Sequence, residues 1–96
     1  MRVLSIDPGL GITGFSILES KRNKIHLLAY GTIKPNRKDS LPLRLNYLFE
    51  EMNKIMDKFI PDTLAIEDAF YRNNVKSAMI LGQARGSIIL SGAQAN

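Results

Sequence analysis

Cysteine is absent from these 96 residues, and histidine occurs once, at His26. Those two absences exclude disulfides, thiolate zinc sites, cysteine nucleophiles and any relay of two histidines. No stretch approaches the roughly 18 apolar residues of a membrane span. The opening Met1-Arg2-Val3-Leu4-Ser5-Ile6-Asp7 lacks a signal-peptide layout. The expectation is a cytoplasmic protein with no membrane partner. Internal repeats and interdomain linkers are also missing, and the length allows one domain. No Asp or Glu follows Asp68. What chemistry remains must run on carboxylates, hydroxyls, backbone amides and basic side chains. The net charge of +4 is a modest pointer to an anionic partner.

The pattern of apolar residues predicts an α/β order. Residues 2–7 read as a short buried strand, and Pro8-Gly9 as a turn. Residues 12–19 and 25–33 read as two more strands of an antiparallel meander, joined by the polar turn Lys21-Arg22-Asn23-Lys24. Ser40 is the expected N-cap of a helix, with Pro42 in its first turn. Leu45, Leu48, Phe49, Met52, Ile55, Met56 and Phe59 recur at helical spacing, and Pro61 follows. Glu50 and Lys54 are spaced to pair on the wet face. Residues 63–67 read as a fourth strand, parallel to the first because a long helix precedes it. A second helix is expected from about Val75 to Ser91, capped by Asn73 or Asn74. Its Gly82 and Gly86 cost roughly 2 kcal/mol against alanine, which predicts close packing of another backbone there, within the chain or across a dimer axis.

Two strands end alike. Leu4-Ser5-Ile6 runs into Asp7, and Leu64-Ala65-Ile66 runs into Glu67. If the two strands are parallel neighbours, the carboxylates sit side by side at strand ends, where open α/β sheets bind ligands. Two close carboxylates repel unless a proton or a cation shares their charge. With no cysteine and one histidine, the oxygen-rich setting favours Mg²⁺ or Mn²⁺ over Zn²⁺. Paired divalent cations serve in-line phosphodiester hydrolysis. The plainer alternative is two solvated strand ends. Gly9, Gly11 and Gly14 could turn amides towards phosphate oxygens, or simply make a turn.

Three motifs in order resemble the RuvC family of Holliday junction resolvases. They are Ser5-Ile6-Asp7-Pro8-Gly9-Leu10 with Thr13-Gly14-Phe15, then Pro61-Asp62-Thr63-Leu64-Ala65-Ile66-Glu67, then Leu81-Gly82-Gln83-Ala84-Arg85-Gly86. The similarity covers essentially the whole chain. The first motif is shared with sugar-kinase and actin-like ATPases; the third makes the match specific. The resemblance implies a ribonuclease H-like fold over residues 1–96. It implies a homodimeric, Mg²⁺-dependent endonuclease that nicks four-way DNA junctions symmetrically, in recombination and repair, beside branch-migration motor proteins. Asp7 and Glu67 match two of the family's catalytic carboxylates. Phe70 matches an aromatic that contacts an unpaired base.

The family's centre also uses acids from a C-terminal helix and a lysine-bearing segment before it. Neither is found in these 96 residues, nor is the family's fifth strand. The expectation is therefore a C-terminally truncated nuclease domain that does not cleave junctions alone. Tyr71 is either a stacking partner for a base or a core residue. Arg72 lies near enough to the carboxylates to hold a phosphate, with Lys76 a weaker candidate. Arg85 is expected to serve packing or a dimer contact. Lys21, Arg22, Lys24, Lys34, Arg37 and Lys38 fall in two loops and read as solvated turns. His26 reads as structural or exposed. The competing functions are a noncatalytic DNA-binding module of the same fold and a fragment of an actin-like or sugar-kinase ATPase.

Overall fold

The structure, a computed structural model, describes residues 1–9, 11–67 and 75–95. The elements are β1 (Arg2–Asp7), β2 (Thr13–Lys21), β3 (Lys24–Ile33), α1 (Leu41–Phe59), β4 (Thr63–Ile66) and α2 (Val75–Ala95). The strands form one sheet in the order β3-β2-β1-β4. β1, β2 and β3 are an antiparallel meander, and β4 joins β1 in parallel after the α1 crossover. That mixed topology is the one the sequence pattern predicts. Arg22 and Asn23 both take positive φ, which gives the β2–β3 turn the twist of a tight hairpin.

Residues alternate across the pleat, so pairing register fixes which side chains share a face. Leu4 pairs with Ile17 and Leu64, and Ile6 with Phe15 and Ile66. Leu4, Ile6, Ile17 and Ile33 pack with Leu48, Met52 and Met56 of α1 and with Ala84 and Ile88 of α2. Each of the Leu, Ile and Met side chains contributes about 1.5–3 kcal/mol when fully buried. Both helices therefore cover one face of the sheet. The other face carries Ser5, Ser16 and Ala65, joined by Tyr30 opposite Ser16, which is 77% exposed.

Ser40 is the N-cap of α1, as expected; its carbonyl accepts the Arg44 N–H, and its side chain makes no cap bond. The ion pair on α1 and the end of α2 differ from expectation. Lys54 pairs with Glu51 at 2.7 Å, while Glu50 takes the Asn46 amide, so the ion pair is i,i+3. A Cβ placed on Gly82 or Gly86 would meet nothing within 4 Å among the described residues, where both glycines are exposed. The close approach in α2 is at Gly92, where a Cβ would stand 2.8 Å from Leu64 Cδ2. α2 also runs further than expected, to Ala95.

α2 buries only a seam of Leu81, Ala84, Ile88 and Ser91. Val75, Met79, Ile89 and Leu90 stay more than half exposed. No helix among the described residues is long and apolar enough to cross a membrane.

Candidate active site

The parallel register brings Ile6 level with Ile66. The Glu67 N–H donates to the Ile6 carbonyl at 2.8 Å, which carries the pairing one residue past β4. Glu67 therefore lies beside Asp7, as the matching strand endings predict. Both residues are exposed and share the uncovered face with Ser5 and Ala65. On its other side Asp7 pairs with Gly14. A Cβ at position 14 would stand 3.9 Å from the Asp7 Cβ, so the glycine keeps the space beside the carboxylate open.

The result is a cleft of about 480 Å³ with Asp7 and Glu67 on its rim. Its floor is Ser5, Gly14, Ser16 and Ala65, all too small to fill it. The floor follows from the alternation in β1 and β2, where small residues interleave with Leu4, Ile6 and Ile17. Two like charges roughly 5 Å apart repel by about 1 kcal/mol in a water-like dielectric. Among the described residues no cationic side chain pairs with either carboxylate. The donors available are carboxylate, hydroxyl and carbonyl oxygens. They fit a hard cation such as Mg²⁺ or Mn²⁺, which keeps several waters when few protein ligands are present. Among the described residues no group of three His, Cys, Asp or Glu is assembled, so Asp7 and Glu67 are the acids these residues offer.

Of the other residues singled out by sequence, Lys76 is exposed in the first turn of α2. Phe70, Tyr71 and Arg72 lie outside the described residues, as do Asn73 and Asn74. His26 is exposed on β3, and its neighbours Lys21, Arg22 and Lys24 sit at the hairpin end remote from Asp7. Arg85 serves packing, one of its two expected roles. Its Nη1 donates to the Glu67 main-chain carbonyl at 2.8 Å, which ties α2 to the site. No periodicity in the sequence marks that contact. The one clue is a cation midway along a helix whose only other charge is Lys76.

The profile of the family described as "Crossover junction endodeoxyribonuclease RuvC" matches residues 3–96. The chain belongs to the RuvC family. The RuvC of Finegoldia magna is 53% identical over 91 residues, covering 95% of this chain and 56% of the relative. The RuvC of Cupriavidus pinatubonensis is 47% identical over 89 residues, covering 93% of this chain and 49% of the relative. The chain thus spans about half the length of these curated relatives. Among solved structures, Thermus thermophilus RuvC in complex with a Holliday junction substrate superposes with a TM-score of 0.90. It shares 22% identity and covers 99% of this chain and 61% of its own. The yeast mitochondrial Holliday junction resolvase Ydc2 matches with a TM-score of 0.73 at 13% identity, covering 97% of this chain and 44% of its own. The Aquifex aeolicus PPX-GPPA enzyme matches with a TM-score of 0.64 at 18% identity, covering 92% of this chain and 33% of its own. These likenesses establish the ribonuclease H-like fold.

Proposed function

We propose that this RuvC-family chain supplies the Asp7–Glu67 half of the active site of a structure-selective endonuclease. Its substrate is four-way junction DNA, which it cuts by paired symmetric nicks during recombination and repair. The observation that carries the reading is the placement of Asp7 and Glu67 side by side on an open cleft of a RuvC-type sheet. When bound there, divalent cations would activate water and stabilise the leaving oxygen of a phosphodiester. Asp7 and Glu67 hold them; the small floor lets a sugar–phosphate backbone approach, and Gly14 leaves its path clear. Phe70 and Tyr71 stack on bases, while Arg72 and Lys76 hold phosphates. Mg²⁺ is the natural ion, with Mn²⁺ able to replace it.

The working form is a homodimer, which branch-migration motor proteins accompany on the junction. The exposed apolar stripe of α2 through Val75, Met79 and Ile89 supports burial against another chain. With Asp7 and Glu67 the acids that the described residues bring to the site, the 96 residues alone do not nick junctions.

The test uses a protein of the full length of the relatives that contains this chain. Asp7→Asn and Glu67→Gln should each lower junction nicking by more than the 10–100-fold typical of outer-shell metal changes. Junction binding should persist in both. Normal cleavage by either variant would sink the assignment; unchanged binding with no metal-dependent cleavage in the parent would favour a noncatalytic DNA-binding module. Tight Mg-ATP binding by calorimetry would favour an ATPase of the same fold.

A further inference from the structure

The end of β4 has a defect that the parallel ladder cannot repair. In the observed register, Glu67 donates its N–H to Ile6, and the next ladder bond would run from the N–H of residue 8 to the Glu67 carbonyl. Residue 8 is Pro8, which has no N–H. The carbonyl of the residue that presents the carboxylate therefore loses its sheet partner where the chain leaves the sheet. Arg85 stands at that point, with Nη1 2.8 Å from the Glu67 oxygen.

We propose that Arg85 is a positioning residue for Glu67: its guanidinium supplies the hydrogen bond that Pro8 cannot, fixing the strand end that offers the Glu67 carboxylate to a divalent cation. The Glu67 peptide is then held twice, through its N–H by β1 and through its carbonyl by α2. Because Arg85 binds the main-chain oxygen, it orients the residue without using up the carboxylate. This inference rests on the reading of Asp7 and Glu67 as a metal site.

The test is an Mn²⁺ titration of the 96-residue chain, followed by paramagnetic broadening of the Asp7 and Glu67 amide resonances. Thermal melting is recorded alongside. Arg85→Ala should raise the Mn²⁺ midpoint by about 10-fold, the lower end of the range for outer-shell changes. Adding Pro8→Ala, which returns an N–H to the ladder, should restore the midpoint in the double variant. A solely structural role for Arg85 would lower the melting temperature and leave the midpoint of the folded chain unchanged, and that result would overturn the proposal. If Arg85→Ala does not fold, the double variant decides. Recovered folding and Mn²⁺ binding support the compensation; failure of either overturns it. Glu67→Gln separates the two levels of inference. No effect of Glu67→Gln removes the metal site itself, whereas a weakened Glu67→Gln beside an unaffected Arg85→Ala removes only the role of Arg85.

Discussion

The two ends of the β1–β4 pair use charge in opposite ways. At the end where the strands begin, Arg2 Nε pairs with Glu19 at 2.8 Å, and its Nη1 caps the Phe59 carbonyl of α1 at 2.7 Å. The Arg2 N–H donates to the Asp62 carboxylate, and the Asp62 N–H donates to the Arg2 carbonyl. Each formal charge in that knot has an opposite charge or a backbone dipole against it. At the end where the strands finish, Asp7 and Glu67 stand together, and the nearby Arg85 is bonded to a carbonyl. The first arrangement closes a fold. The second leaves like charges for a ligand to satisfy, which costs stability without the ligand. The contrast supports the proposed site at one end of a sheet whose two ends share the same strands.

The largest test of that contrast is Gly9→Ala. A Cβ at position 9 would collide with the Ile12 carbonyl oxygen, within the turn that follows Asp7. Backbone must move to admit it, so the variant should lose at least about 3 kcal/mol in urea denaturation, the upper part of the overpacking range. Gly11→Ala is the control, because nothing lies within 4 Å of its Cβ. It should change stability by no more than about 0.5 kcal/mol. Equal losses in the two variants would show that the site end is not held by this close approach.

Arg2→Ala probes the other end. The part-buried bond to the Phe59 carbonyl should account for about 2 kcal/mol, in the range for hydrogen bonds to charged groups. The Mn²⁺ midpoint at Asp7 and Glu67 should not move, since the lost contacts all lie at the strand beginnings. A shifted midpoint would break the separation of the two ends.

Acid titration follows from the same knot. The hydrogen bond from Arg2, then the charges of Arg2 and Lys21, hold the Glu19 carboxyl below its ordinary 4.5, against the opposing effect of desolvation. A carboxylate with a lowered folded value adds stability that is complete above its unfolded value. That contribution fades as the pH falls below about 4.5 and through the lowered value. Glu19→Gln should therefore melt at a lower temperature than the parent at pH 6 and converge with it in stronger acid. Parallel melting curves at every pH would remove the pair from the account.

How much of this could be read from the sequence depends on the range of the interaction. Apolar alternation set β1 to β3, and the long helix before residue 63 implied the parallel β4. Those two inferences sufficed to place Asp7 beside Glu67. The uncovered face was equally implicit in Ser5 and Ser16 alternating with Leu4, Ile6 and Ile17, but reading it needs the cross-strand register. Side-chain choices among near-equal partners were not legible: Lys54 reaches Glu51 although Glu50 has the usual i,i+4 spacing. The Arg85–Glu67 contact spans 18 residues and two elements, so no local pattern encodes it. An exposed glycine and a packed one look the same in sequence, so nothing local marked Gly92 as the position in α2 that approaches Leu64.

The smallest expected effect is a gain, and it belongs to the structural end. Ile60 ends α1 with φ 47 and ψ 62, donating its N–H to the Met56 carbonyl. A left-handed conformation sets the Cβ of an L-residue against its own carbonyl at a cost of roughly 1–2 kcal/mol, which glycine avoids. Ile60 recovers little of that through burial, since it is 75% exposed. Ile60→Gly should therefore stabilise the chain by about 0.5–1 kcal/mol, after the greater freedom of glycine in the unfolded state offsets part of the relief. Ile60→Asn should gain less, because asparagine only tolerates this region where glycine occupies it freely. Denaturant midpoints measure both, and the Mn²⁺ titration should be identical to the parent. A loss of stability on Ile60→Gly would mean that the isoleucine side chain holds the α1–β4 corner more firmly than its exposure indicates. The knot of Arg2, Asp62 and Phe59 would then extend one residue further than its hydrogen bonds.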